Sequence, residues 1–236
     1  MSLEITIHAA QTGILRELLF HPHADYTALQ KPTGLTSDHF NFHISRLLEL
    51  GLVEKMSRGT YRLSAKGKEY ANRLDTDNNT VERQPKSAVM LALTRTRAGK
   101  TEFLYQERLK NPFYGFWGLP TGKIRWGETI IQTAERESLE ETGLKGDFTV
   151  LGVCHEHVMQ TESGELLEDK IFFIVMGRNM KGKLLADFQG GRNQWMTLDE
   201  FIAKEKRFDN YIEPLAIING QKWFAEQTTS YSRNVF

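Results

Sequence analysis

Residues 122–144 read GKIRWGETIIQTAERESLEETGL, and the spacing of their charges decides how the longer part of the chain folds. Trp126 and Gly127 predict a turn, and Glu128 follows at a helix start, where a carboxylate suits the positive end of the helix dipole. At roughly 100° per residue, Glu137, Glu140 and Glu141 fall within an arc of about 100° on one helix face. Like charges at these spacings repel, each pair costing roughly a few tenths of a kcal/mol. A sequence tolerates that most easily when a divalent cation sits among the carboxylates, and hard oxygen ligands point to Mg²⁺ or Mn²⁺ and to phosphate-bearing substrates. Arg136 lies beside the cluster, able to orient a carboxylate or meet a phosphate oxygen, and Gly143 supplies the helix C-cap. Taken alone, such a cluster is more often a solvated acidic face.

The full spacing goes further. It resembles the Nudix box: glycine, five residues, Glu, seven residues, then Arg-Glu-aliphatic-x-Glu-Glu-x-Gly-aliphatic. All seven fixed positions match, at Gly122, Glu128, Arg136, Glu137, Glu140, Glu141 and Gly143. At ordinary residue usage, chance agreement at a given start is on the order of 10⁻⁸ to 10⁻⁹. Two positions depart from the pattern. Ser138 replaces the usual aliphatic residue, which touches packing, and Thr121 stands where many members carry a second glycine. The resemblance covers about residues 86–205 and implies an α/β/α sandwich with a mixed sheet. It also implies hydrolysis of a nucleoside diphosphate linked to another moiety. Glu137 and Glu141 would be metal ligands, and Glu140 a ligand or a water-positioning base. The Gly122 carbonyl would complete the coordination, Arg136 would hold a catalytic glutamate, and Glu128 would support the loop. Trp117, Arg125 and Trp126 are the candidate substrate contacts. Subgroup markers downstream of the box are missing: no proline lies between Pro120 and Pro214, and no tyrosine between Tyr114 and Tyr211. The first absence counts against the ADP-ribose subgroup and the second against the dinucleoside polyphosphate subgroup.

The flanking segments agree. Strands are expected over 87–94, 102–109, 148–155, 170–176 and 193–197, a helix over 197–204, and a C-terminal helix over 211–224. His155 and His157 alternate on one strand and so share a face. Cys154 reads as a small core residue.

Upstream, residues 74–87 (LDTDNNTVERQPKS) are polar and turn-prone, which is linker chemistry. This divides the chain into a first domain over 1–75, a linker over 76–86 and a second domain over 87–236. The first domain has apolar residues at helical spacing over 7–20, a short helix over 26–31, and a third helix over 36–50 with Phe40, Ile44, Leu47 and Leu48 in one stripe. Short strands over 53–56 and 60–63 flank the turn at Ser57, Arg58 and Gly59, and a closing helix covers 64–74. The order is similar to winged helix-turn-helix regulators of the ArsR and MarR type, most closely at HISRLLELGLVEKMSRGTYRLSAKGKEY. That resemblance implies a recognition helix over 36–50, with Ser37, Asn41, Ser45 and Arg46 facing duplex DNA and Arg58 at the wing tip. The charge is less supportive: residues 1–75 hold nine Lys/Arg against eight Asp/Glu, a net of +1, where DNA-binding modules usually show a basic face. A winged helix used only for association is the alternative.

Whole-chain composition is that of a globular protein: 236 residues, 40% hydrophobic, 25% charged, with 30 Lys+Arg balancing 30 Asp+Glu. The apolar runs are strand-sized, far short of the ~20 residues of a membrane span. Met1, Ser2, Leu3 and Glu4 do not begin a secretory signal. A single cysteine excludes an intrachain disulfide. The sequence therefore predicts a cytoplasmic, divalent-metal-dependent hydrolase with an appended winged helix, expected to be a homodimer. The runner-up is a transcriptional regulator whose Nudix domain senses a nucleotide-linked metabolite.

Overall fold

A computed structural model of the chain describes residues 7–75, 80–81 and 83–236, in two compact units, Met1–Arg83 and Gln84–Phe236. The second unit is organised by β6 (Lys86–Arg97), whose residues 88–93 are all buried. Alternation sends Val89, Leu91 and Leu93 to one face of the sheet and Ala88 and Met90 to the other. A strand buried on both faces needs such an unbroken apolar run. It pairs parallel with β11 (Leu166–Gly182) and antiparallel with β7 (Lys100–Arg108) and β9 (Thr121–Lys123); β8 (Trp117–Gly118) adds to β7. β11 pairs antiparallel with β10 (Leu144–Gln160), and β10 pairs parallel with β14 (Phe224–Tyr231). On the far side β12 (Asp187–Phe188) and β13 (Gly191–Met196) complete a mixed sheet in the order β12-β13-β7-β6-β11-β10-β14.

Helices cover both faces. Ala134 of α5 (Ile130–Glu137) packs with Val89, Leu91, Leu93, Leu104, Leu144 and Val175. Ile217 of α7 (Ile212–Ile218) packs with Met90, Cys154, Phe172 and Ala225 on the other face. The short α6 (Leu198–Ile202) places Phe201 against Tyr105 and Met196. The result is the expected Nudix-like α/β fold with a mixed sheet.

The structure corrects three sequence expectations. The predicted helix over 211–224 ends at Ile218, and residues 224–231 form a sheet strand instead. Gly220, at φ 73°, turns the chain out of the helix, and Ala225 and Tyr231 then bury alternating positions. The helix carrying the three glutamates is not uniform: it is α-helical to Glu137 and continues as a π-turn over Ser138–Thr142. The polar stretch around 76–86 is also not all linker, since β4 (Leu74–Asp75) pairs antiparallel with β5 (Thr80–Val81). Residues 76–79 and 82 lie outside the described set.

The first unit has its own core, including Ile14, Leu15, Leu18, Phe40, Ile44, Leu47, Leu52 and Leu63. Its elements run α1 (Ala9–Phe20), β1 (Ala24–Asp25), α2 (Tyr26–Gln30), α3 (Ser37–Glu49), β2 (Val53–Lys55), β3 (Thr60–Leu63) and α4 (Ala65–Ala71). The strand pair is extended by Ala24–Asp25 into a three-stranded sheet. Among the described residues no helix is long and apolar enough to cross a membrane.

Candidate active site

Local capping starts the helix that carries the site. The Thr129 side chain accepts from Gln132 N–H and the Gln132 side chain accepts from Thr129 N–H, a capping box. Gly143, at φ 73°, ends it by donating its N–H to the Leu139 carbonyl. This fixes both ends of the segment bearing Arg136, Glu137, Glu140 and Glu141.

Arg136 is the hub. Its Nε and Nη2 donate to the two oxygens of Glu128 at 2.6 and 2.8 Å, a bidentate fork. Its Nη1 reaches Glu137 at 2.6 Å and Glu140 at 3.3 Å, and Nη2 also donates to the Lys123 carbonyl at 3.1 Å. Glu128 additionally accepts from Thr133 Oγ1 at 2.8 Å and from the Arg125 N–H at 3.2 Å. The guanidinium of Arg136, with these hydrogen bonds, holds the Glu128 carboxyl down to about 2. The Arg125 side chain meets Glu140 at 3.3 Å.

Gly122 lies beneath this cluster on β9, opposite Val89. A Cβ there would overlap the Glu137 side chain, so glycine is what lets the backbone approach the carboxylate. Glu141 faces differently. It accepts from Gln106 Nε2 at 3.0 Å, lies 3.9 Å from Lys110 Nζ, and burial pushes its carboxyl above the usual range. Asn193 Nδ2 donates to the backbone carbonyls of Glu141 (2.7 Å) and Leu185 (2.8 Å), tying the π-turn to β13. Gln106 and Asn193 are register partners on β7 and β13.

Gln106 also lines an aromatic cavity with Phe103, Tyr105, Phe201, Phe208 and Tyr211 among its walls. Polar groups in that wall include Arg108 and the buried Glu156, which accepts from Asn210 Nδ2 at 2.6 Å and whose carboxyl burial raises.

The structure thus gathers Gly122, Glu128, Arg136, Glu137 and Glu140 around one guanidinium, with Arg125 at its edge. Glu141, on the π-turn, is held instead by Gln106 of β7 and Asn193 of β13. Trp117 and Trp126 do not join them. Trp117 is buried with Tyr105, Met196 and Phe201 and capped by Lys204 Nζ at 4.3 Å from its ring centre, so it is a core residue; Trp126 is 95% exposed on the turn. Gln106, Lys110 and Asn193 had no motif to announce them. The Gln106–Glu141 contact spans 35 residues of sequence and the Asn193–Glu141 contact 52. In the first unit Ser37, Asn41, Ser45 and Arg46 are exposed along one helix, with Arg46 paired to Glu49 at 2.9 Å. The Arg58 side chain lies outside what is described.

Residues 84–215, more than half the chain, match the NUDIX domain family. Among curated relatives, Nudix hydrolase 8 of Arabidopsis thaliana is 34% identical over 122 residues, 48% of this chain and 32% of that protein. The uncharacterised Nudix hydrolase YvcI of Bacillus subtilis is 26% identical over 99 residues, 39% of this chain and 58% of that protein. The chain therefore spans about a third and somewhat over half of these two relatives. The solved Nudix domain of Shewanella oneidensis NrtR, complexed with ADP-ribose, superimposes with a TM-score of 0.51 at 18% identity, covering 65% of this chain and 97% of that one. Family match, sheet order and the gathered box residues agree: the chain belongs to the Nudix family.

Proposed function

We propose that the chain is a pyrophosphohydrolase cleaving a phosphoanhydride of a nucleoside diphosphate linked to another moiety, with Mg²⁺ or Mn²⁺ as its cation. The observation that carries this reading is the Arg136 hub, which draws Glu128, Glu137 and Glu140 to one point above the Gly122 backbone.

The donor set suits a hard cation. Glu137, Glu140, Glu141 and the Gly122 carbonyl offer only oxygen, and Glu141 is largely buried with Lys110 no nearer than 3.9 Å. Bound among them, the cation would screen the phosphates and acidify a water. The chain's own residues do the rest. Arg136 fixes the carboxylates so that they need not reorganise as charge develops. Glu128, held ionised, anchors that guanidinium. Glu140, half exposed, orients the attacking water and accepts its proton on a carboxylate oxygen. Water attacks phosphorus, the anhydride P–O bond breaks, and the linked moiety occupies the aromatic cavity beside Gln106.

A release assay tests this, run over NDP-sugars, ADP-ribose, NAD(H), dinucleoside polyphosphates and NTPs, with and without Mg²⁺ and with Glu141→Gln in parallel. Turnover of one class that needs Mg²⁺ and falls about hundredfold in the variant is expected. No turnover of any class, or full activity in Glu141→Gln, overturns the reading.

A second reading concerns residues 1–75, taken as a winged helix-turn-helix domain ahead of the hydrolase domain. The exposed row Ser37, Asn41, Ser45 and Arg46 on one helix, followed by the hairpin, favours duplex DNA as its partner and a homodimer as the binding form. The Nudix domain would then sense or remove the nucleotide-linked effector. Selection from a random duplex pool at 150 mM salt should enrich one sequence. Binding that vanishes at that salt would leave only association as the role of this unit, since non-specific phosphate contacts weaken steeply with salt.

A further inference from the structure

His155 and His157 on β10 point to one face of the sheet, and the register sets Asp169 of β11 directly opposite His157. The contacts converge on one carboxylate oxygen. Asp169 Oδ1 lies 2.8 Å from His155 Nε2 and 3.7 Å from His157 Nε2, and the two imidazole rings sit edge to face with centres 4.6 Å apart. One ligand atom from each of the three residues lies within 4.8 Å of the others. On the next strand, Glu226 pairs with His155 in register and reaches its Nδ1 at 3.3 Å.

We propose that His155, His157 and Asp169 form a second cation site, for a borderline divalent ion of the zinc class. Two imidazoles and a carboxylate are the donor set such ions prefer, whereas the all-oxygen box prefers Mg²⁺. The geometry is close to what is needed. Bonds of about 2.0–2.1 Å in a tetrahedron put ligand atoms about 3.3 Å apart, so the observed 2.8 and 3.7 Å each require about half an ångström of movement. Glu226 supplies the outer partner of a metal-bound histidine: with Nε2 turned to the ion, Nδ1–H donates to its carboxylate and fixes the ring. The three ligands stand on two hydrogen-bonded strands, which holds their spacing without an ion. Their side chains retain 23%, 41% and 29% exposure, so an ion can enter and keep a solvent ligand in a fourth position.

The test uses the full, untagged chain, stripped with chelator and held in excess Mg²⁺ so that the oxygen site is taken. Titration with Zn²⁺ should show one ion bound per chain. Co²⁺ should give the intense visible bands of a four-coordinate site. His157→Ala and Asp169→Asn should weaken Zn²⁺ binding about hundredfold or more and abolish the Co²⁺ bands, and Glu226→Gln should weaken it about tenfold. Glu141→Gln should leave it unchanged. Should His157→Ala fail to fold, His157→Gln replaces it at this partly exposed position. Zn²⁺ binding unaltered in both ligand variants overturns the proposal, because the chain has five other histidines to account for it. Zn²⁺ displaced by Mg²⁺, or lost in Glu141→Gln, overturns it equally by placing the ion in the box.

Discussion

A single guanidinium satisfying three carboxylates means that its shape matters as much as its charge. Arg136→Lys keeps the charge but offers one ammonium point where a planar fork now meets Glu128 through two donors and Glu137 through a third. Hydrolysis is expected to fall at least about tenfold while far-ultraviolet dichroism stays unchanged; full activity in that variant would remove Arg136 from the mechanism. Gly122→Ala is the sharper case. The added methyl meets the Glu137 side chain and must push it aside, and a displacement of about 1 Å at a catalytic group can cost about hundredfold in rate. Thermal melting of the same variant should move less than the rate, because the overlap runs along one side chain, from Cγ to the carboxylate of Glu137, and not against backbone. A proportionate loss of both would make Gly122 a folding residue.

Among the elements, the π-turn explains a residue that the box pattern left odd. Ser138 is fully buried, its Oγ donating to the Leu144 carbonyl at 2.9 Å, while Thr142 Oγ1 donates to the Ser138 carbonyl at 2.5 Å. Where the pattern expects an aliphatic side chain, this chain stitches the turn to the start of β10. Ser138→Ala should cost about 1 kcal/mol in denaturant unfolding, and Ser138→Leu about 1–3 kcal/mol through overpacking. An aliphatic residue tolerated without loss would show that the hydroxyl is incidental. The box was legible in sequence because its seven positions lie within one short segment and interact locally. β14 was not, because the reason Phe224–Tyr231 is a strand is its parallel pairing with β10 some seventy residues upstream. Local pattern carries no trace of that partner. The strand's last residue gives a pH-dependent prediction. Burial pushes the Tyr231 phenol up to about 12 from the usual 10, and its oxygen accepts the Asp209 N–H at 3.0 Å. The folded state thus holds the phenolic proton more tightly than the unfolded chain. That contribution is complete below pH 10 and is lost as pH rises through about 12. Alkaline melting curves should show this fall in the native chain and a smaller one in Tyr231→Phe; identical slopes would place the alkaline sensitivity elsewhere.

For the whole molecule, the decisive fact is that each unit has a hydrophobic core of its own among the described residues. Among the described residues, Ile14, Leu15, Phe40, Leu47 and their neighbours belong to the first unit, and the clusters around β6, β10 and β11 belong to the second. Apolar burial is the main favourable term in folding, so two disjoint cores should melt as two transitions. Gly67 provides a way to move one alone. It is buried in the helix Ala65–Ala71, and a Cβ there would overlap the backbone carbonyl of Leu52, which is fixed by its own hydrogen bond to Ser64 N–H at 3.1 Å. Backbone cannot yield as a side chain can, so Gly67→Ala belongs at the upper end of overpacking costs, about 3 kcal/mol. For a unit of this size that lowers its melting point by about 10–20 °C. Calorimetry should therefore show one transition shifted down and the other in place. Hydrolysis measured between the two melting points should persist, because every residue gathered around Arg136 lies in the second unit, while any DNA binding should disappear. A single transition that moves as a whole, or hydrolysis lost with the first unit, would mean that the Nudix domain depends on its N-terminal neighbour for its fold.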